Sequence, residues 1–151
     1  MKDPRYSTLV NILDKLRAEA PQTEEFRRFH SNKPDDVTFS RSQAFIHLLL
    51  LIKFGLETFD ERTQHICDGP GDGGLDAYYI SEQEKTVFLV QSKFKGTQAG
   101  FTGDSLSAAD LVKIEIDRII SGETADSNGV AYNGRIHEFQ LKLNQATRKQ
   151  I

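Results

Sequence analysis

Three polar side chains border two apolar segments in the stretch "GDGGLDAYYISEQEKTVFLVQSKF". Asp76 opens the first apolar segment, and Gln91 and Lys93 end the second. We expect the two segments to form an antiparallel hairpin joined by "SEQEK". If Ile80 faces Val87 in that hairpin, Asp76 faces Gln91, and alternation along the strand puts Lys93 on the same face. A register shifted by one residue would send Asp76 to the opposite face.

The chemistry of these groups is that of a site for a hard cation. The Asp76 carboxylate, the Gln91 amide oxygen and the Ser92 carbonyl are oxygen donors, which Mg²⁺ prefers, with water completing its shell at about 2.1 Å. Facing residues of an antiparallel pair have β-carbons roughly 5 Å apart, so their side chains can share one ion. The Lys93 ammonium can hold a hydroxide or offset phosphate charge in a transition state. The set favours phosphodiester hydrolysis.

The elements before the hairpin are predicted from apolar residues at three- and four-residue spacing. These helices cover about residues 5–20, about residues 22–30, and Ser40 or Ser42 to about Phe54. The third helix is apolar nearly all round, which is typical of a buried helix, and we expect Gly55 to end it.

The elements after the third helix are predicted to include a sheet of only three strands. The strands cover residues 63–67, 75–80 and 86–94, a loop "GTQAGFTGDS" follows, a helix runs from Ser105 or Ser107 to near Gly122, and a loop precedes a final helix to the chain end. Because so small a sheet offers little cover, we expect Phe139 and Leu143 of the final helix to be exposed or buried against another chain.

The glycine-rich loop before Asp76 matches two other motifs in part. Three of its glycines fit GxGxxG, but a strand follows where a dinucleotide-binding fingerprint requires a helix. Asp68 and Asp72 begin like a calcium loop, but Tyr79 occupies the place of the bidentate Glu. We therefore reject both motifs and expect Asp68 and Asp72 to be turn residues.

Composition excludes several classes of protein. A chain of 151 residues with 38% hydrophobic residues predicts one domain over residues 1–151, and a net charge of −3 requires any polyanion to be met by a local basic patch. The single cysteine, Cys67, excludes a disulfide framework and fits a reducing compartment, so the cytoplasm is expected. The longest apolar run has 11 residues and contains His47 and Lys53, whereas a membrane span needs about 20. Cys67 and His47 are expected to be buried structural residues.

The motifs together resemble the PD-(D/E)XK nuclease superfamily, in the Gln-x-Lys variant of Mrr-like restriction endonucleases. The segments "SQAFIHLLLLIKFGL", "CDGPGDGGLDAYYI" and "VFLVQSKF" are closer still to the N-terminal nuclease domain of abortive-infection phage-resistance (AIPR) proteins. The resemblance covers about residues 40–95. It implies an α/β fold with a restriction-endonuclease-like core, a small mixed sheet flanked by helices, a helical extension over residues 1–35 and an extra C-terminal helix. The chain would then be the front part of a longer protein or one subunit of a homo-oligomer.

The resemblance also implies a role for each site residue. Asp76, Gln91 and Lys93 would be catalytic, and Asp76, Gln91 and the Ser92 carbonyl would bind Mg²⁺, for which Mn²⁺ can substitute. Many relatives carry a Glu where this chain has Gln43, so Asp72 and Glu57 are the candidates for the missing carboxylate. Lys95 and Lys113 are the candidate contacts to nucleic acid.

The expected function is thus a magnesium-dependent endonuclease that hydrolyses DNA in restriction or anti-phage defence. Two alternatives remain open on the sequence. Because Gln43 lacks the acidic charge, the domain can be a weak or inactive module for nucleic-acid binding or dimerisation. The second alternative is that the domain is a nuclease for RNA.

Overall fold

The computed structural model describes residues 2–103 and 114–149. In those ranges the chain is a mixed α/β structure with several helices and a two-stranded antiparallel sheet. Contacts divide it into two compact units, Met1–Thr63 with Ser92–Leu106 and Gln64–Gln91 with Ser107–Ile151. None of the described helices is long and apolar enough to cross a membrane.

The first unit is helical. It contains helix α1 (Pro4–Ala18), a 3₁₀ helix (Glu24–His30), helix α2 (Pro34–Phe54), helix α3 (Phe59–Thr63) and helix α4 (Gln98–Gly103). One apolar cluster joins α1 to α2 through the buried side chains of Leu13, Leu16 and Ala44. A second cluster of edge-to-face aromatic rings includes Phe29 and Phe59. The apolar face predicted for α1 thus packs against α2.

Helix α2 begins earlier than we predicted. Its first residue is Pro34, several residues before Ser40, because proline is pre-organised for the first helical position, where its missing N–H has no partner to lose. Ser40 lies inside the helix and donates its hydroxyl to the Val37 carbonyl at 3.2 Å. The predicted end is confirmed: Gly55 adopts the left-handed conformation with φ 66° and caps the helix.

The second unit contains the sheet. Strand β1 (Ala77–Ser81) pairs with strand β2 (Thr86–Val90), and helices α5 (Ile116–Ile120) and α6 (Gly134–Arg148) follow in the chain. The predicted antiparallel hairpin is confirmed, and of the two registers considered the structure has the one in which Ile80 pairs with Val87. The core of the unit is formed by one cluster of buried side chains, namely Cys67, Leu75, Tyr78, Ile119, Tyr132, Ile136 and Phe139.

Three predicted elements differ from the structure. The first residue of the predicted strand over 63–67, Thr63, is instead the last residue of helix α3. Of the rest of that strand, the described residues keep only an isolated bridge between Ile66 and Ala77. Strand β2 ends at Val90, so the predicted strand over 86–94 is shorter. The predicted loop contains the short helix α4, which begins beside Thr97, whose hydroxyl accepts from the Gly100 N–H at 3.1 Å.

Of the two helices predicted at the end of the chain, the first is found only in part. Its predicted start, at Ser105 or Ser107, lies outside the described residues, Ile114 and Glu115 are not helical, and α5 begins at Ile116 and ends just before Gly122. The final helix is confirmed as α6. Our expectation for Phe139 was wrong, since it is fully buried against the Tyr78 ring at 4.5 Å between centroids. Leu143 is partly buried against the same cluster.

Candidate functional site

The backbone of Asp76 is fixed at the head of strand β1. Its N–H donates to the Val90 carbonyl at 3.0 Å, although Val90 pairs with Ala77 in the sheet. Two successive residues therefore face one residue of β2, which is the arrangement of a β-bulge. The regular register ends at this bulge, before it reaches Asp76 and Gln91. Strand alternation therefore does not decide whether these two side chains share a face.

The Asp76 carbonyl connects the strand to the start of the glycine-rich loop. It accepts from the N–H groups of Cys67 and Asp68, at 2.8 and 3.0 Å. The backbone of Asp68 is therefore held beside that of Asp76, although the two residues are eight positions apart. This is the contact that closes the loop into a compact turn.

The loop itself is organised by Asp72. Its carboxylate oxygens accept from the Gly69 N–H at 3.1 Å and from the Gly74 N–H at 2.8 Å. Gly73, beside Asp72, has φ 63°, in the left-handed region that glycine adopts without strain. The predicted turn role of Asp72 is confirmed.

The folded loop brings three carboxylates together. One oxygen from each of Asp68, Asp72 and Asp76 lies within 4.8 Å of the others, with Asp68 exposed and the other two half-buried. Carboxylate oxygens at such separations repel one another and together attract a cation. They are also the donors that Mg²⁺, Mn²⁺ and Ca²⁺ take in proteins, so the donor set fits the metal that the resemblance implies.

Gln91 lies against the same loop. Its Nε2 donates to the Gly74 carbonyl at 2.7 Å, and the Gly74 N–H is the group that Asp72 holds. Since the nitrogen and the oxygen diverge from the planar amide carbon, this bond leaves Oε1 turned away from the Gly74 carbonyl. Gln91 is thus attached to the loop that carries the carboxylates.

The negative charge of the cluster also reaches its buried neighbour Cys67. Burial is the main cause that raises the pKa of the Cys67 thiol to about 12, and the charges of Asp72 and Asp76 raise it further. The thiol is therefore protonated at neutral pH, as expected for a buried structural residue, and not a reactive nucleophile.

The other described residues of the predicted site belong to the first unit and are described within it. Gln43 is a buried residue of α2, and Glu57 is exposed, with a carbonyl that accepts from Arg62 at 2.7 Å. Ser92 and Lys95 are half-buried, and Lys93 is exposed. Lys113 lies outside the described residues.

Sequence reasoning missed two contributors to this site. Asp68 was expected only as a turn residue, and its proximity to Asp76 depends on backbone hydrogen bonds that no spacing rule indicates. Asn133 was not singled out, yet its side-chain amide donates to the Cys67 carbonyl at 2.8 Å from 66 residues away in the sequence. Asn133 also caps helix α6, because its side-chain oxygen accepts from the Ile136 N–H. Only this capping role has a local sequence signal, since Asn is a favoured N-cap before a helix.

Comparisons of the chain with protein-family models, with curated proteins and with solved structures gave no match. The function of the chain is therefore inferred from its residues and from the geometry of the loop.

Proposed function

We propose that the chain is a metal-dependent nuclease domain with a restriction-endonuclease-like core, which hydrolyses phosphodiester bonds of DNA. The observation that carries the proposal is the group of three carboxylates at the head of strand β1, where the sequence pattern places the metal-binding aspartate. The role that the resemblance implies is restriction or anti-phage defence.

The three carboxylates can supply the negative charge that the site lacks at Gln43. A site with Asp76 as its sole carboxylate would attract a divalent cation weakly. Asp68 and Asp72 add two negative charges within 4.8 Å of that carboxylate. This favours a metal-binding nuclease over a module that has lost its catalytic charge.

In the proposed site, Asp76, Asp68 and Gln91 would hold Mg²⁺, and Mn²⁺ can replace it. Asp72 would keep the loop folded through its bonds to two glycine amides and add its charge. The Ser92 carbonyl follows Gln91 directly and is a further oxygen donor. The ion would supply Lewis-acid chemistry and make bound water more acidic.

Lys93 is assigned the stabilisation of charge on the phosphate. It follows Gln91 by two residues, so chain connectivity limits the distance between their Cα atoms to about 7 Å. Its side chain is exposed. An ammonium that interacts with charge developing as water attacks phosphorus would contribute mainly to the transition state, and therefore to rate more than to DNA affinity.

The experiment is cleavage of supercoiled plasmid DNA with Mg²⁺, with Mn²⁺ and with EDTA, using Lys93→Ala beside the wild type. We expect cleavage only with the metal ions and a loss of about 100-fold or more in the variant. A matched control is Lys15→Ala, which removes another exposed lysine, near the end of α1, and should cleave like the wild type.

Each alternative gives a different result with the same proteins. Wild-type cleavage by Lys93→Ala would reject the proposed role of the lysine. A binding module would show no metal-dependent cleavage and weaker DNA binding by the variant in a gel shift. A nuclease for RNA would cleave an RNA substrate of the same sequence and leave the plasmid intact. A lower melting temperature of Lys93→Ala would indicate a structural lysine.

A further inference from the structure

Asn133 contacts the carboxylate loop at three carbonyl groups. Its backbone N–H donates to the Gly71 carbonyl at 2.9 Å. Its side-chain Nδ2 donates to the Cys67 carbonyl at 2.8 Å and to the Pro70 carbonyl at 3.3 Å. These carbonyls lie on both sides of Asp68 in the chain. One residue therefore fastens the loop segment that carries this carboxylate.

The other end of the same amide is bound to helix α6. Asn133 Oδ1 accepts from the Ile136 N–H at 3.0 Å and so caps the N-terminus of a 15-residue helix. Ile136 is fully buried in the core of the unit. The Asn133 amide thus joins the loop to a part of the molecule that cannot shift without disturbing packed side chains.

The loop also fits closely against the residues that precede α6. A β-carbon added at Gly71 would lie 2.6 Å from the Ala131 carbonyl oxygen, and one at Gly73 would lie 2.8 Å from a ring carbon of Tyr132. Real contacts of this kind are longer, so only glycine permits this approach. The close fit and the three hydrogen bonds hold the same loop.

We infer that Asn133 is a positioning residue, which holds Asp68 and Asp72 at the separation from Asp76 that a divalent cation requires. The inference rests on the proposed function in that the cluster is taken to bind the metal. The three carboxylates repel one another, so a loop released from Asn133 would let them move apart. Groups that hold metal ligands in place typically contribute 10- to 100-fold, roughly, to metal affinity.

The variant Asn133→Asp separates the contribution of the side-chain oxygen, which caps α6, from that of the side-chain nitrogen, which binds the loop. A carboxylate still caps α6, because Asp is about as good an N-cap as Asn. It cannot donate to the Cys67 and Pro70 carbonyls, and it repels them. The variant also adds a negative charge near the cluster, which by charge alone would tighten cation binding. Positioning and charge therefore predict opposite changes in affinity.

The first measurement is amide hydrogen exchange of metal-free protein, followed by mass spectrometry. We expect Asn133→Asp to speed exchange in the loop, at Cys67, Asp68 and the Gly69 and Gly74 amides, while exchange within α6 stays as in the wild type. The control is Asp3→Ala, which removes the N-cap of α1 and should leave the loop unchanged. Loop exchange equal to the wild type in Asn133→Asp would overturn the inference.

The second measurement is Mn²⁺ binding by titration calorimetry, at a temperature where both proteins are folded. We expect Asn133→Asp to bind about tenfold or more weakly than the wild type. Equal or tighter binding would overturn the inference and leave Asn133 as a cap only. If the wild type itself binds no divalent ion, the proposed function fails, and hydrogen exchange alone decides whether Asn133 holds the loop. If the wild type binds Mn²⁺ without cleaving DNA, the proposed nuclease fails while the positioning role is still measured.

Discussion

The arginine network of the first unit and the carboxylate loop of the second unit arrange their charges in different ways. In the first unit, carboxylates meet guanidinium groups: Asp14 accepts from Arg41 at 2.8 and 2.9 Å and from Arg17 at 2.9 Å. The buried Arg62 pairs with Glu19. In the second unit, the loop gathers three carboxylates within 4.8 Å of one another. Charge is offset in the arginine network and accumulated in the loop, whereas elsewhere the second unit also has ion pairs, such as Arg135 with Glu138.

This difference distinguishes stabilising residues from candidate binding residues. A carboxylate that is bound by arginine contributes to folding and has little attraction left for a cation. Carboxylates that are held together against their mutual repulsion lower the stability of the metal-free fold and gain from a bound ion. The carboxylates that are bound by arginine are therefore assigned to stabilising the fold, and the three carboxylates of the loop are assigned to binding.

The largest effect is expected from breaking the buried arginine network of the first unit. Arg62 is 0% exposed, and it donates to His47 Nδ1 at 3.0 Å and to the Leu56 carbonyl at 3.0 Å. Arg62→Met would leave these buried acceptors without a donor, and we expect a loss of about 3–5 kcal/mol in the free energy of unfolding. Urea denaturation measures it.

The control for this variant is Arg27→Met, in which a side chain that is 73% exposed loses its partner Glu24. Exposed ion pairs contribute little, so a change below about 0.5 kcal/mol is expected. Equal losses in both variants would mean that burial does not distinguish the two arginines.

The sequence predicted the local features of the fold and missed the features that depend on distant residues. The end of α2 at Gly55, the helix α6 and the antiparallel hairpin follow from short-range rules, and all three are found. The early start of α2 was missed because Ser40 or Ser42 was taken as the helix start, whereas Pro34 occupies the first helical position. The burial of Phe139 was missed because a small sheet was assumed to offer no cover, whereas Tyr78 covers it.

The candidate site was predicted in the same partial way. Asp76, Gln91 and Lys93 were singled out by their types and spacing, and their roles remain predictions. The grouping of Asp68 with Asp76 was not predicted, because it depends on a turn closed by backbone bonds. Such a turn has no strand or helix period from which its side-chain positions could be read.

The second prediction uses the pH to destabilise the fold through His47, a buried residue of α2. Burial, and then the charge of Arg62, lowers the pKa of His47 to about 3. An unfolded His titrates near about 6.5. Between these values the unfolded chain binds a proton that the folded chain excludes, so stability falls as the pH is lowered. We expect a loss of about 2 kcal/mol from pH 7 to pH 5 by urea denaturation.

The control is His47→Gln, whose side-chain oxygen can still accept from Arg62. It removes this titrating group and should reduce the pH dependence between pH 7 and pH 5, while His65, whose pKa burial also lowers, still contributes. A variant that keeps the full pH dependence of the wild type would show that other groups of the chain cause it.

The smallest effect is the most direct test of the comparison, because one change of the same kind is made in each unit. Asp14→Asn removes a charge that two arginines share, and we expect a loss of about 1 kcal/mol, since Asp14 is partly exposed and its pairs are screened. Asp68→Asn removes one of three mutually repelling charges. In EDTA it should leave the protein as stable as the wild type or more stable, by up to about 1 kcal/mol. When Mn²⁺ is added, Asp68→Asn should become less stable than the wild type, because the ion stabilises the wild type more than the variant. Thermal unfolding in EDTA and in Mn²⁺ measures all four values, and a loss of stability in both variants under EDTA would contradict the difference drawn between the two units.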